Sequence, residues 1–386
     1  MSRRRCSPEW VAAPAMLALL GCADVLDLKL SSAPADAGLP GPDAMTGVAA
    51  VDGGTAIVRS DAGISIAWMS NGTSSDFFDT SRNGAVLAGQ NLTSSSGTTV
   101  SVSIMDPATN TAATQAQRIR DAVAAGVNGL AVDVIDPTVI GPEIDKAVQQ
   151  GVTVMTFDSD APSSKRISYY SIDNEASGVT AAKILTSLMG AGGNIAIMNK
   201  ESPPTAANFI ARRDGFVREL ANHPGFAVAV DLPCTDGPMG EATLQAGCTG
   251  VLESAMVAHP EVTGWFLARG RVLREAALAT EAPNWTGKVK AGTFFVVAYD
   301  AIPESLANIQ AGYANATINQ KYFGWGYDVV TSIFKIVTSS LPVNPFTDSG
   351  FDVVCANNIG EVEQAWSLQN FSKPVTKCML SGSAWP

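Results

Sequence analysis

The stretch Ala147-Val148-Gln149-Gln150-Gly151-Val152-Thr153-Val154-Met155-Thr156-Phe157-Asp158-Ser159-Asp160-Ala161-Pro162 decides the fold. A helix-period pattern over Ile140 to Gln150 stops at Gly151, the apolar run Val152 to Phe157 follows, and the chain passes at once into a polar loop. A short apolar run without strict alternation marks a strand buried on both faces. The same unit recurs along the chain. Ile64 to Met69, Val100 to Met105, Gly129 to Ile135, Asn194 to Asn199, Ala227 to Leu232, Thr263 to Ala268 and Thr293 to Tyr299 read as further strands. Helix-period stretches lie around Thr111 to Ala125, Glu175 to Met189, Ala206 to Ala221, Gly240 to Ala258, Arg271 to Thr280, Glu304 to Gln310 and Tyr322 to Ser339. Strands alternating with helices predict an α/β protein whose parallel sheets are covered on both faces. Eight or more strands, with a change of character at Ser171-Ile172-Asp173-Asn174, predict two doubly wound lobes rather than one. In such sheets ligands bind beyond the carboxyl ends of the strands. The segments that follow the strands are therefore where a site is sought.

Composition narrows the function classes. The 386 residues are 46% apolar and 16% charged, which supplies a large core and argues against disorder. A net charge of −11 offers no basic surface to neutralise a phosphate backbone, so nucleic acid is not an expected partner. With His223 and His259 as the only histidines, His-based catalysis and His-ligated zinc are disfavoured. No cofactor and no metal are expected.

The amino terminus reads as an export signal. Three arginines, Arg3 to Arg5, precede an apolar run from about Val11 to Leu20 that ends in Leu19-Leu20-Gly21-Cys22. A run of about ten residues is too short to cross the ~30 Å hydrocarbon core, and its basic flank and small-residue exit fit a cleaved signal over residues 1–21. Leu-Leu-Gly-Cys resembles the bacterial lipobox, which makes Cys22 the lipidated residue. The competing reading, a buried amphipathic helix, is opposed by Pro8 and Pro14. Residues 22–63, rich in Pro, Gly, Ala and Asp, read as a flexible tether between a membrane surface and a folded body. The expected location is a bacterial cell envelope, facing the periplasm or the outside.

Cysteine usage agrees with export. Setting aside Cys6 and Cys22 leaves Cys234, Cys248, Cys355 and Cys378, which allow three connectivities. An oxidising compartment favours the two local pairings, Cys234 with Cys248 and Cys355 with Cys378, over four free thiols.

The loops after the strands are polar and aromatic. Ser70-Asn71-Gly72-Thr73-Ser74-Ser75-Asp76-Phe77-Phe78 follows the first strand, and Asp158-Ser159-Asp160-Ala161-Pro162 precedes Lys165-Arg166. Tyr170-Ser171-Ile172-Asp173-Asn174, Asn208-x-x-x-Arg212-x-x-Gly215-Phe216, Tyr299-Asp300-Ala301-Ile302-Pro303 and Gln320-Lys321-Tyr322-x-x-Trp325-Gly326-Tyr327 come next. Aromatic faces beside hydrogen-bonding groups suit a sugar, whose C–H face stacks while its hydroxyls need donors and acceptors.

These six motifs, in this order over about Ile64 to Val337, resemble the periplasmic sugar-binding proteins of the ribose-binding type, the substrate receptors of ABC importers. The resemblance implies two Rossmann-like lobes joined by a three-stranded hinge, the type I periplasmic binding fold. It assigns residues 64–172 with about 321–352 to one lobe, and 173–320 with about 353–386 to the other. It also implies a monomer that binds a monosaccharide or small sugar derivative and meets ABC importer membrane subunits. Carried over by position, Asn71, Phe77 and Phe78 sit in the first loop with a ring face against the sugar. Asp158 and Asp160 accept from hydroxyls, Asn208 and Arg212 contribute from a helix, Asp300 accepts from the second lobe, and Gln320 lies at a hinge crossing. A carboxylate accepting a hydroxyl makes a charge-assisted bond, and arginine offers a planar fork of donors.

Two departures bear on the ligand. Where many relatives carry Asn-Asp or Gly-Gly-Trp-Pro, this chain has Arg269-Gly270-Arg271-Val272, so an acidic or phosphorylated sugar stands beside a neutral one. Ser159 replaces an arginine common in ribose binders, so ribose itself is not implied.

Plainer readings accompany several of these residues. Phe77 and Phe78 also fit the first buried turn of a helix. Asp158 and Asp300 also fit helix caps. Asp158 with Asp160 suits an Asp-x-Asp metal pair but lacks a third ligand. Arg212 and Arg213 also fit ion pairs with Asp214 or Glu219, Arg269 and Arg271 rim charges, and Trp325 and Tyr327 packing. Other function classes are a sugar sensor feeding a membrane chemoreceptor or kinase, and a glycosidase using Asp158 and Asp300. A transcription regulator of the lac-repressor family would need a basic helix-turn-helix that residues 23–63 do not contain.

Overall fold

The computed structural model describes residues 63–72, 78–199, 206–234, 244–274, 277–339, 343–368 and 375–386. The signal segment, Cys22, the tether up to residue 62, and Phe77 lie outside them.

The first half of the chain forms β1 (Ile64–Met69), α1 (Asp79–Ser96), β2 (Val100–Ile104), α2 (Ala112–Ala124), β3 (Gly129–Val132), α3 (Pro137–Gln149), β4 (Thr153–Phe157) and β5 (Ser168–Ser171). A second series repeats the pattern: α4 (Asn174–Met189), β6 (Gly193–Asn199), α5 (Ala207–Leu220), β7 (Phe226–Pro233), α6 (Leu244–Ala258), β8 (Val262–Leu267), α7 (Leu278–Glu281), α8 (Pro283–Lys290), β9 (Phe295–Tyr299), α9 (Pro303–Gln310) and β10 (Ala316–Gln320). The chain then returns through α10 (Tyr322–Ser339), β11 (Phe346–Asp348), β12 (Phe351–Val354), α11 (Ile359–Leu368), β13 (Cys378–Leu380) and β14 (Ser383–Trp385).

Two six-stranded sheets result, ordered β11-β5-β4-β3-β1-β2 and β12-β10-β9-β8-β6-β7. Within each, the five strands of one series run in the same doubly wound order, and the sixth comes from the returning chain. β11 joins the first sheet in parallel and β12 joins the second antiparallel. The backbone thus passes between sheets at Ser171 to Asn174, Gln320 to Tyr322 and Asp348 to Phe351. This last crossing lies slightly upstream of the expected change near 352/353, because β12 already pairs with β10 from Phe351. Ser349 N–H donates to Ser171 O at 2.8 Å and Asp173 N–H to Asp348 Oδ1 at 3.0 Å, so two crossings are bonded to each other.

Strand periodicity sorts side chains onto the two faces of each sheet. Ile64, Ile66 and Trp68 pack with α1 and α10, while Ala67 and Met69 pack with α2 and α3. In the second sheet Trp265 and Leu267 face one cluster and Phe266 and Ala268 the other.

Helix α1 has no apolar stripe and was not expected. It buries Gly84, Ala85, Ala88 and Gly89 instead, with Gly84 resting on the backbone of α10 and Gly89 against β2. A Cβ on Gly84 would lie 2.5 Å from Phe323 O, and one on Gly326 would lie 1.8 Å from Ser81 O. Strands β5 and β10 escaped notice because they are short and polar, the property their positions beside the crossings require. Trp325 is fully buried, and Tyr327 stacks on Phe323 and accepts from Asn91, so both serve packing. The structure contains the disulfides Cys234–Cys248 and Cys355–Cys378. The second fastens the small β13–β14 hairpin to the second lobe, where Val353 N–H also donates to Pro386 O at 2.5 Å.

Candidate ligand-binding cleft

Asp158 and Asp300 immediately follow β4 and β9, which hold equivalent places in the two sheets. Both adopt a left-handed backbone, φ 52° and 71°, otherwise found among described non-glycine residues only at Ser381. Asp tolerates this region better than most residues, and such strain gathers at functional sites. Each turn is held by neighbouring strands. Asp158 N–H donates to Tyr170 O at 3.2 Å, and Asp300 N–H donates to Ile318 O at 2.9 Å.

Arg212 on α5 is 2% exposed and sits at the centre. Nε donates to Asn174 Oδ1 at 2.8 Å, Nη1 to Ala268 O at 3.2 Å and Nη2 to Gln320 Oε1 at 2.9 Å. Its guanidinium lies 4.1 Å over the Tyr299 ring, a cation–π contact in a desolvated setting. Gln320 in turn donates through Nε2 to Asp300 Oδ1 at 2.9 Å, where Tyr322 Oη also donates at 3.0 Å. Asn174 and Gln320 stand at crossings, so the arginine ties both crossings to the second lobe.

Asp158 meets this group from the first lobe. Burial pushes its carboxyl up to about 6, Arg212 pulls it down, Asp300 pushes it up, and a hydrogen bond from Asn208 pulls it down. Its Oδ1 is buried and has no hydrogen-bond partner among the described residues. Such an acceptor is costly unless something donates to it.

The expected residues sort as follows. Asp158, Asn208, Arg212, Asp300 and Gln320 are buried and interconnected. Asn71 is part-exposed and its N–H donates to Asp133 Oδ2 at 3.3 Å. Phe78 is 3% exposed in the apolar cluster of Trp68 and Trp325, so it forms the first turn of α1 in the core rather than offering a face to a sugar. The correction has a plain cause, since a ring beside an N-terminal helix turn buries more apolar area by packing inward. Asp160 is likewise occupied. Both its oxygens take Arg166, at 2.5 Å each, and Oδ1 also accepts from Thr156 and Ala161 N–H, so it braces its own loop. Arg269 Nη1 donates to Cys234 O at 2.8 Å. Among the described residues no group of His, Cys, Asp and Glu is placed to hold a metal ion.

Three cleft residues were missed. Asn174, inside a quoted motif and expected near a hinge crossing, was given no contact within the site. Tyr299 read as a strand end. Asp133 was hidden because the third strand, expected to run to Ile135, ends at Val132. Polar residues just beyond shortened strands are the signal that would have found it.

Two mostly parallel sheets are joined by three crossings, and Arg212 stands near Asp158 of the first lobe and is linked through Gln320 to Asp300 of the second, a bilobal α/β arrangement with a polar cleft. Residues 66–340 match the periplasmic binding protein domain family, and the chain belongs to that family. A xylose/arabinose-binding protein of Sulfolobus acidocaldarius is 25% identical over 269 residues, 65% of this chain. The match spans 62% of that relative's length. Among solved structures, an ABC transporter solute-binding protein from Burkholderia graminis in complex with D-arabinose is 25% identical, with a TM-score of 0.69 over 78% of this chain and 98% of that one. An ABC transporter solute-binding protein from Agrobacterium vitis bound to α-D-tagatopyranose is 22% identical, with a TM-score of 0.66 over 78% and 98%, and supports the fold.

Proposed function

We propose that the protein is an exported receptor that closes its two lobes on a small carbohydrate and delivers it to an ABC importer. The observation that carries the reading is the buried, unpartnered Oδ1 of Asp158 facing a positioned Arg212 and Asp300 across the lobes. It is an acceptor waiting for a hydroxyl. Membership of the periplasmic binding protein family and the pentose binders among the similar proteins support it. An envelope location with a lipid on Cys22 belongs to the same proposal, motivated by Leu19-Leu20-Gly21-Cys22. Nothing in the cleft requires turnover, because binding and release suffice for a receptor.

A thermal-shift screen over pentoses, hexoses, uronic acids and sugar phosphates tests it, since a ligand that binds only the folded state raises the melting temperature. A sugar that shifts the wild type but not Asp158→Asn supports the assignment. No shift with any sugar class removes it. Intact mass of membrane-extracted protein checks the anchor, the expected chain starting at an acylated Cys22.

A further inference from the structure

Asn199 is the last residue of β6 and is 2% exposed. Its main chain is committed, since its carbonyl accepts the N–H of Cys234, the residue bridged to Cys248 on α6, at 2.6 Å. Its side chain is not. Oδ1 and Nδ2 are both buried, and neither has a hydrogen-bond partner among the described residues. A carboxamide kept from water with its donor and its acceptor both unmet is costly, and native proteins rarely keep one unless something binds there.

Strand register says where the group points. Ile195 and Ile197 pack into the cluster under α4 and α5, while Ala196 and Met198 pack into the other, so alternation puts Asn199 on the α4 and α5 side. The register of Met198 beside Leu267 beside Ala298 continues one residue further as the row Asn199, Ala268, Tyr299, at the carboxyl end of the sheet. Ala268 and Tyr299 belong to that same cluster. Over this row lies Arg212, bonded to Ala268 O and 4.1 Å above the Tyr299 ring. The other polar side chains of this wall are committed: Ser177 Oγ with Tyr299 Oη at 2.6 Å, Asn174 with Arg212, and Asn208 with Asp158.

We propose that Asn199 is a ligand-contacting residue of the second lobe, and that it takes two adjacent hydroxyls of a neutral sugar, Oδ1 accepting from one and Nδ2 donating to the next. The chemistry of the group sets the ligand class. A carboxylate offers acceptors alone and would leave Oδ1 unmet, whereas a hydroxyl both donates and accepts, so a neighbouring pair satisfies both ends of a carboxamide. The inference rests on the reading of the cleft as a sugar site. It adds that hydroxyls, rather than the acidic group of a uronic acid or sugar phosphate, meet this wall.

The test pairs ligand-free stability with affinity in the intact protein. Asn199→Leu keeps the branched outline and removes both polar atoms. We expect its ligand-free melting temperature to equal or exceed that of the wild type, because no hydrogen bond is lost. Its affinity for the tightest binder among D-xylose, D-arabinose, D-glucose and D-galactose, read by calorimetry, should fall ~10-fold or more. Asn199→Ala serves the affinity comparison if the leucine variant does not fold. Monodeoxy forms of that sugar locate the contact: removal of either of two neighbouring hydroxyls should weaken binding to the wild type and make no difference to the variant. A lower melting temperature in Asn199→Leu with affinity retained would mean a carboxamide held by internal water, and overturns the proposal. Equal affinity of wild type and variant overturns it too and leaves the receptor reading standing, as does a wild type that binds a uronic acid or sugar phosphate and none of the neutral sugars. Where stability and affinity fall together, deoxy penalties that persist in the variant overturn it. A wild type that binds no sugar of either kind removes both readings.

Discussion

At Asp158 the backbone and the side chain make separate demands. The left-handed turn costs most residues roughly 1 to 2 kcal/mol, and Asn is among the few that share aspartate's tolerance. Asp158→Asn therefore removes charge alone, and Asp158→Ala adds backbone strain. We expect Asp158→Asn to weaken sugar binding by ~1.5 to 3 kcal/mol, about ten- to hundredfold, as read by calorimetry. The carboxyl also sets a pH dependence. Its folded value, about 6, lies above the ordinary 3.8, so burial favours the protonated form. The resulting stability, about 3 kcal/mol by linkage, is fully present below 3.8 and is lost as pH rises through about 6. Melting temperatures of the ligand-free wild type should fall across that window, and the fall should flatten in Asp158→Asn. Arg212→Lys keeps the charge but loses the fork that reaches Asn174, Ala268 and Gln320 together. Sugar affinity should drop ~10-fold or more, because a point charge on a flexible stem does not reproduce three fixed bonds.

Helix pairs place that arginine. In the second lobe α4 and α5 touch backbone to backbone, since a Cβ on Gly178 would lie 2.1 Å from Arg212 O and one on Gly215 2.1 Å from Glu175 O. The first lobe uses the same device at Gly84 and Gly326 for α1 and α10. Gly178→Ala should cost ~1 to 3 kcal/mol of stability by overpacking, and should also weaken sugar binding because the displaced turn carries Arg212. Gly326→Ala should cost as much stability with little effect on affinity in the variant that stays folded. Denaturant unfolding paired with calorimetry separates the two, and equal loss of affinity in both would contradict the assignment of α5 as the arginine's platform. The disulfides act at this scale as well. Replacing Cys234 and Cys248 together by serine should cost ~3 kcal/mol by the chain-entropy estimate for a closed loop of this length. It should also loosen the Cys234 carbonyl that holds Arg269.

Across the whole molecule, the proposed receptor role predicts that ligand binding is coupled to the angle between lobes. Asp158 comes from the first lobe and Arg212, Asn208 and Asp300 from the second, so a ligand bonded to both sides would favour the closed arrangement by its differential affinity. Small-angle scattering should therefore find a smaller radius of gyration with sugar than without, and an unchanged radius at saturating sugar would exclude closure. The crossings that must bend are braced by the ion pair Lys321 with Asp352 and by the bond from Asp173 N–H to Asp348. Among the described residues no helix is long and apolar enough to cross a membrane.

Sequence by itself determined the alternation of strands and helices, the two series and the loops where polar groups gather, and it favoured the pairs Cys234–Cys248 and Cys355–Cys378 among three connectivities. These are legible because strand burial on both faces and helix period are local properties of consecutive residues. Through their motifs it singled out Asp158, Arg212 and Asp300, which the structure gathers in one buried group from two strand ends and helix α5. Only the tertiary structure decided that Phe78 turns into the core, where Trp68 and Trp325 meet it from other elements, and that Asp160 is spent on Arg166, where the loop after β4 folds back on itself. Likewise α1 is held where α10, more than two hundred residues later, offers a backbone for Gly84 to rest on, with Gly89 against β2. The meeting of Asp158, Arg212 and Asp300 is tertiary in the same sense. Their burial follows from two strand ends and a helix converging on one point, a desolvation that no stretch of the chain carries alone.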